Sequence, residues 1–357
     1  MLTECSPSRG IRLFVVGLMS CFMEIHVNAQ ANAGPHVHVS ATPNKSSEIP
    51  TRPTLREVIV SYAEGNGKLQ LYRVKTDGAS RKRITDGQTN CMMPAWSPDQ
   101  HKVVYVKQSD QGLDLWMCDP EGRSHKRLTK FGANRLPAWL PDSKHVIWMV
   151  STPSGEAKDP AANSQLHIMN TETMESRPLF GDAAQSRFSN AMPTVSPDGT
   201  KVAFVSNRSG EFRVWVSNLD GSEARAVSPV AVGTDPDLKL PIEQKVPSWS
   251  PDGKWIAHWE GVEMIHMSPF TGISNPERDR KIESTFRICV VGLDGKKKRV
   301  AGRGDDPNWS PDGFLTRSFP DPRKGGANIM IDGKDGWQEV PILPARTLRY
   351  GRFTWQP

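Results

Sequence analysis

Cysteine is scarce in this chain, five among 357 residues, and tyrosine scarcer still at four. So few thiols exclude a disulfide framework and a multi-cysteine zinc cluster, which leaves packing to hold the core. No apolar run approaches the roughly 20 residues that a membrane-spanning helix needs. Also missing are the Gly-x-Ser-x-Gly elbow of α/β-hydrolases, the His-Glu-x-x-His pair of zinc peptidases and the Gly-x-x-x-x-Gly-Lys-Ser/Thr phosphate loop. Long helical periodicity is lacking too. With 29 Gly and 29 Pro, about one residue in six interrupts a helix, which excludes a bundle or a coiled coil. The net charge of +6 arises from 45 basic and 39 acidic residues, well mixed, so no nucleic-acid partner is expected. Hydrophobic residues at 37%, with eleven Trp and twelve Phe, are too many for a disordered chain.

The first 29 residues have the three-part layout of a secretory signal peptide. Arg9 and Arg12 precede the apolar stretch Leu13-Phe14-Val15-Val16-Gly17-Leu18-Met19, and a small-x-small ending closes at Val27-Asn28-Ala29. Cleavage near Ala29 and a periplasmic or secreted location follow as expectations. The alternative is a lipoprotein anchored through Cys21, because Leu18-Met19-Ser20-Cys21 loosely resembles a lipobox. Residues 30–54, rich in Ala, Ser, Thr, Asn and Pro, read as a flexible linker.

A repeat governs residues 55–357. Pro94-Ala95-Trp96-Ser97-Pro98-Asp99 returns as Pro137-Ala138-Trp139-Leu140-Pro141-Asp142 and as Pro193-Thr194-Val195-Ser196-Pro197-Asp198-Gly199. It recurs as Pro247-Ser248-Trp249-Ser250-Pro251-Asp252-Gly253 and Pro307-Asn308-Trp309-Ser310-Pro311-Asp312-Gly313, and is truncated at Phe353-Thr354-Trp355. The anchors lie 43, 56, 54, 60 and 46 residues apart. After each Pro-Asp turn come β-branched and aromatic runs of strand length, such as Val202-Ala203-Phe204-Val205, then an acidic-Gly turn and a short fourth run. Four strands per period of this length predict a β-propeller blade. The chain begins with strands two to four of a blade and ends with strand one. The expected fold is therefore all-β: a six-bladed propeller closed by the C-terminal strand. In the repeated turn Pro presets φ, Asp bonds nearby amides and Gly accepts a left-handed backbone, so the aspartates read as structural.

Together, Pro-Ala-Trp-Ser-Pro-Asp, the strand after it, the Asn207-Arg208-Ser209-Gly210 loop and the Asp-Gly turn resemble the WD40-like repeat of the TolB propeller family. The resemblance implies the propeller fold and an envelope-associated role. TolB itself carries an α/β domain ahead of its propeller, which residues 1–54 are too short to contain.

Propellers bind at the mouth of the central channel, where loops enter the innermost strands. The candidates there are Asn90, Asn134, Arg135, Arg187, Asn190, Lys245, Asp305, Asp306, Arg349 and Arg352. Amides and guanidinium groups of this kind hold carboxylates or carbonyls through forked hydrogen bonds. Longer segments at 151–165 and 260–284 are expected to rise beside them as loops. The expected function is non-catalytic binding of an envelope protein or peptide, with no cofactor, no catalytic residue, no metal and a monomeric state. The alternative is a glycan-binding propeller or a metal-dependent, oligogalacturonate-type polysaccharide lyase. Such lyases share the repeat and hold a metal with several histidines, yet no entering loop here contains one; only His258 and His266 are candidates to reach that rim.

Overall fold

Each β-branched or aromatic run of the repeat forms a strand in the computed structural model. The structure describes residues 56–63, 68–130, 132–151, 163–181, 187–227, 233–263, 275–295, 298–318, 327–333, 336–341 and 353–357. The expected leader and linker, Arg349, Arg352, His266 and most of the 151–165 segment lie outside them.

Five blades are contiguous stretches of chain, each of four antiparallel strands taken in sequence order. Blade two comprises β4 (Cys91–Trp96), β5 (Val103–Ser109), β6 (Gly112–Cys118) and β7 (Lys126–Arg127). Blade three comprises β8 (Asn134–Trp139), β9 (His145–Ser151), β10 (Ser164–Asn170) and β11 (Ser176–Pro178). Blade four is β12 (Asn190–Val195), β13 (Lys201–Ser206), β14 (Arg213–Asn218) and β15 (Arg225–Ala226). Blade five is β16 (Ile242–Trp249), β17 (Trp255–Val262), β18 (Arg287–Gly292) and β19 (Lys298–Gly302). Blade six is β20 (Asp305–Trp309), β21 (Leu315–Ser318), β22 (Ala327–Gly333) and β23 (Gly336–Pro341).

Counted as contiguous units, then, the blades number five and not six. The sixth four-stranded sheet is composite: β24 (Phe353–Trp355) joins β1 (Glu57–Ala63), β2 (Leu69–Lys75) and β3 (Arg81–Arg83). Val58, Ile59 and Val60 pair with Trp355, Thr354 and Phe353. Arg56 reinforces the seam by reaching Asp312 of blade six at 2.6 Å. The innermost strands β24, β4, β8, β12, β16 and β20 contact one another in turn, and Asn308 Nδ2 donates to the Phe353 carbonyl at 3.3 Å across the closing joint.

The repeated Trp wedges between blades. Trp139 Nε1 donates to the Ala95 carbonyl of blade two at 3.0 Å, and Trp249 Nε1 to Thr194 of blade four at 3.2 Å. Both indoles are buried. Space at such joints is tight enough to require glycine: at Gly122, whose φ is +81°, a Cβ would stand 2.5 Å from the Ile84 carbonyl, just after β3 of the composite sheet.

A second device recurs within the five contiguous blades. The residue before the repeat's first Pro has positive φ: Met93 (53°), Leu136 (54°), Met192 (52°), Val246 (56°) and Asp306 (47°). Each lies in a one-residue bulge against its neighbour strand. A non-glycine residue there costs about 1 kcal/mol or more. The extra residue also shifts side-chain alternation by one. The halves of an inner strand on either side of the bulge are thereby uncoupled.

One element departs from the strand pattern. Where a loop is expected, residues Pro276–Thr285 form helix α1. Asn275 caps it by accepting the Arg278 amide at 3.0 Å, and Pro occupies the first turn. Ile282 and the following Phe286 are buried, with the Phe286 ring 5.2 Å from Trp259.

Candidate functional site

Antiparallel pairing sets the start of every inner strand beside the end of the second strand of its blade, so those starts share one rim. The candidates on it divide into two kinds.

The amides belong to the fold. Asn90 accepts the Leu69 amide at 2.8 Å and donates to Gln108 at 2.7 Å. Asn134 donates to the Leu113 carbonyl at 3.1 Å and accepts the Trp148 indole at 2.8 Å. Asn190 donates to Gln165 at 3.4 Å and to the Phe188 carbonyl at 3.2 Å. Leu69, Leu113 and Gln165 lie on the third strand of the preceding blade in each case. These amides therefore pin blade to blade, and their donors are already in use.

The charged candidates are placed differently. Arg135, 9% exposed, donates to Ser151 at 3.2 Å, and Ser151 lies 3.2 Å from Ser164. Lys245 is buried between Glu263 and Glu243, the latter at 3.1 Å, with Phe212 5.4 Å beneath its ammonium. Asp305 and Asp306 open β20 and are buried, as is Arg317 on the adjacent strand. Burial brings the Arg317 guanidinium down to about 10, against the opposing pull of Asp305.

Arg187 is exposed, its guanidinium 4.8 Å from the Phe188 ring centre. The same ring lies 5.6 Å from Arg208. Arg208 is also stacked on Phe204 at 5.0 Å and Trp215 at 5.1 Å, and donates to Asn190 at 2.8 Å and Ser206 at 3.1 Å. Its partners are neutral, no carboxylate among the described residues pairs with it, and burial lowers its pKa. Sequence reasoning quoted Arg208 only as part of a loop motif. No signal in the sequence marks it out, because the rings it stacks on come from three places in the chain.

The histidine expected to reach the rim does not. His258 is 0% exposed, turned into the joint between blades four and five beside Glu260 and Cys289. Cys91, Cys118 and Cys289 are all buried free thiols, and burial pushes each up to about 12. The repeat's aspartates serve their turns: Ser196 and Ser250 hydroxyls donate to Asp198 and Asp252 at 2.5 Å each. No helix among the described residues is long and apolar enough to cross a membrane.

The chain resembles several known proteins. It is 29% identical over 149 residues to the Tol-Pal system protein TolB of Nitratidesulfovibrio vulgaris, covering 41% of this chain and 30% of that one. It spans about a third of the length of the TolB relatives it matches. The crystal structure of TolB from Acinetobacter baumannii superposes with a TM-score of 0.62 at 18% identity, over 87% of this chain and 69% of that one. An oligogalacturonate lyase from Vibrio parahaemolyticus superposes at 0.52 with 13% identity, over 81% and 80%, a likeness of fold alone. The family model described as the TolB beta propeller domain matches residues 55–267, so the chain belongs to that family.

Proposed function

We propose that this is an exported, non-catalytic TolB-like propeller that binds a protein or peptide partner at the channel mouth through an acidic group of the partner. The observation that carries the reading is the pair Arg187 and Arg208 against one phenylalanine ring, Arg208 half-withdrawn from water with only neutral partners. Two guanidinium groups gathered at one ring, one of them desolvated, favour a nearby anion, and a planar carboxylate matches the guanidinium fork. Arg135, Lys245, Asp305 and Asp306 extend the rim around that point and would read the rest of the partner. Signal-peptide export fits an envelope partner.

The test is a salt-dependent binding assay with a fluorescent acidic peptide and its amidated, neutral counterpart. The expected result is saturable binding of the acidic peptide that Arg187→Glu weakens at least tenfold and that Lys254→Glu, at the turn end of blade five, leaves unchanged. Equal binding of both peptides, or indifference to Arg187→Glu, overturns the reading.

A further inference from the structure

The face of blade five that packs against blade four carries a buried group of another kind. Ile256 and Val291 on that face join Val214 and Val216 in an apolar cluster. His258 and Glu260 follow Ile256 at alternate positions of β17 and so share its face. Cys289 is His258's cross-strand partner on β18. One ligand atom from each of His258, Glu260 and Cys289 lies within 4.8 Å of the others. Neither ring nitrogen of the fully buried His258 has a partner within hydrogen-bond distance; Nε2 stands 3.8 Å from the Glu260 carboxylate. Leaving a buried polar group so destabilises the fold unless a ligand satisfies it. Glu260 is the opposite: it accepts Arg287 at 2.9 Å, Lys298 at 2.8 Å and Gln244 at 3.1 Å. Its lone pairs are spoken for, and the open donors are an imidazole and a thiol.

We propose that His258 and Cys289 form a binding site for one soft monovalent cation of the Cu(I) class, with Glu260 held beside it as a positioning residue. Thiolate with imidazole is a donor set for soft or borderline ions. Metal–sulfur and metal–nitrogen bonds of about 2.3 and 2.0 Å set opposed ligands roughly 4.3 Å apart, against roughly 3.5 Å at a tetrahedral centre. The His258 and Cys289 ligand atoms lie no more than 4.8 Å apart, a bound that accommodates the two-coordinate span. Charge selects the same ion. Binding exchanges the thiol proton for the cation, Cys–SH plus M⁺ giving Cys–S–M plus H⁺, so the joint keeps its charge. A divalent ion would add a positive charge next to Arg287 and Lys298, where burial makes it costly. Those two side chains, 42% and 35% exposed, run from the surface to Glu260 and mark the way in.

The experiment uses the full chain with Cys5→Ser, Cys21→Ser, Cys91→Ala and Cys118→Ala, so that Cys289 is the remaining thiol. Cu(I) is titrated anaerobically against a chromophoric chelator, with circular dichroism recorded at each point. One equivalent is expected to bind, Cys289→Ser to lose it and His258→Gln to weaken it at least tenfold. The copper K-edge spectrum of the loaded parent chain is expected to contain one short sulfur and one short nitrogen, which decides the matter even where a variant fails to fold. No uptake by the folded parent chain, a spectrum without nitrogen, or Zn²⁺ uptake as tight as that of Cu(I) overturns the proposal.

Discussion

At the turn end of the blades the same chemistry recurs, whereas at the mouth end the residue that leads into each bulge differs from blade to blade. Ser97, Ser196 and Ser250 each donate to the Asp two residues on and accept an amide five residues on. On the other side of the bulge the equivalent positions are Met92, Arg135, Ala191, Lys245 and Asp305. The bulge separates the two regimes. Because it resets the alternation of faces, residues before it can vary in charge and size without moving the Trp wedge after it. Local turn chemistry and wedge packing hold the ring, and the mouth is left free to differ from blade to blade.

The comparison breaks if changes at the two ends cost alike. The largest effect is expected from removing residues 353–357, which strips β24 from β1 and exposes an unpaired edge. That chain is expected to lose its cooperative urea transition or to associate, read by size-exclusion chromatography. Next in order is Trp139→Ala, which empties an inter-blade joint and is expected to cost about 3–5 kcal/mol in urea unfolding. Arg187→Ala at the mouth, by the same measurement, should stay within about 0.5 kcal/mol of the parent chain.

Much of the fold was legible because its signals are local. Pro-Asp-Gly turns and strand-length apolar runs need no tertiary information, and the complementary chain ends showed how the ring closes. Helix α1 was not legible: Pro-Glu-Arg-Asp-Arg-Lys-Ile-Glu-Ser-Thr buries only Ile282, so no apolar stripe announced it. The mouth was read less well for a related reason. An asparagine at a strand start looks the same in sequence whether its amide awaits a ligand or, as with Asn90, Asn134 and Asn190, binds the preceding blade. Arg208 gains its meaning from Phe188, Phe204 and Trp215, which only the folded ring assembles.

The smallest effect concerns the charge within a single turn. Burial alone would raise the Asp198 carboxyl, but hydrogen bonds from Ser196 and from the amide and hydroxyl of Thr200 outweigh it and hold the pKa below the ordinary value. A carboxyl depressed by folding binds its proton less tightly in the native than in the unfolded chain, so it stabilises the fold above the unfolded pKa, about 4. That contribution fades as the pH falls through 4 toward the native value. Asp198→Asn keeps the acceptor oxygen and removes the titration. The difference in urea midpoint between parent and variant should therefore be constant from pH 7 to 5 and shrink below 4. Lys254→Ala, an exposed change near the equivalent turn of blade five, should show no such pH dependence. A difference that persists unchanged down to pH 3 would mean that Asp198 acts through its shape alone, and the turn end would owe nothing to charge.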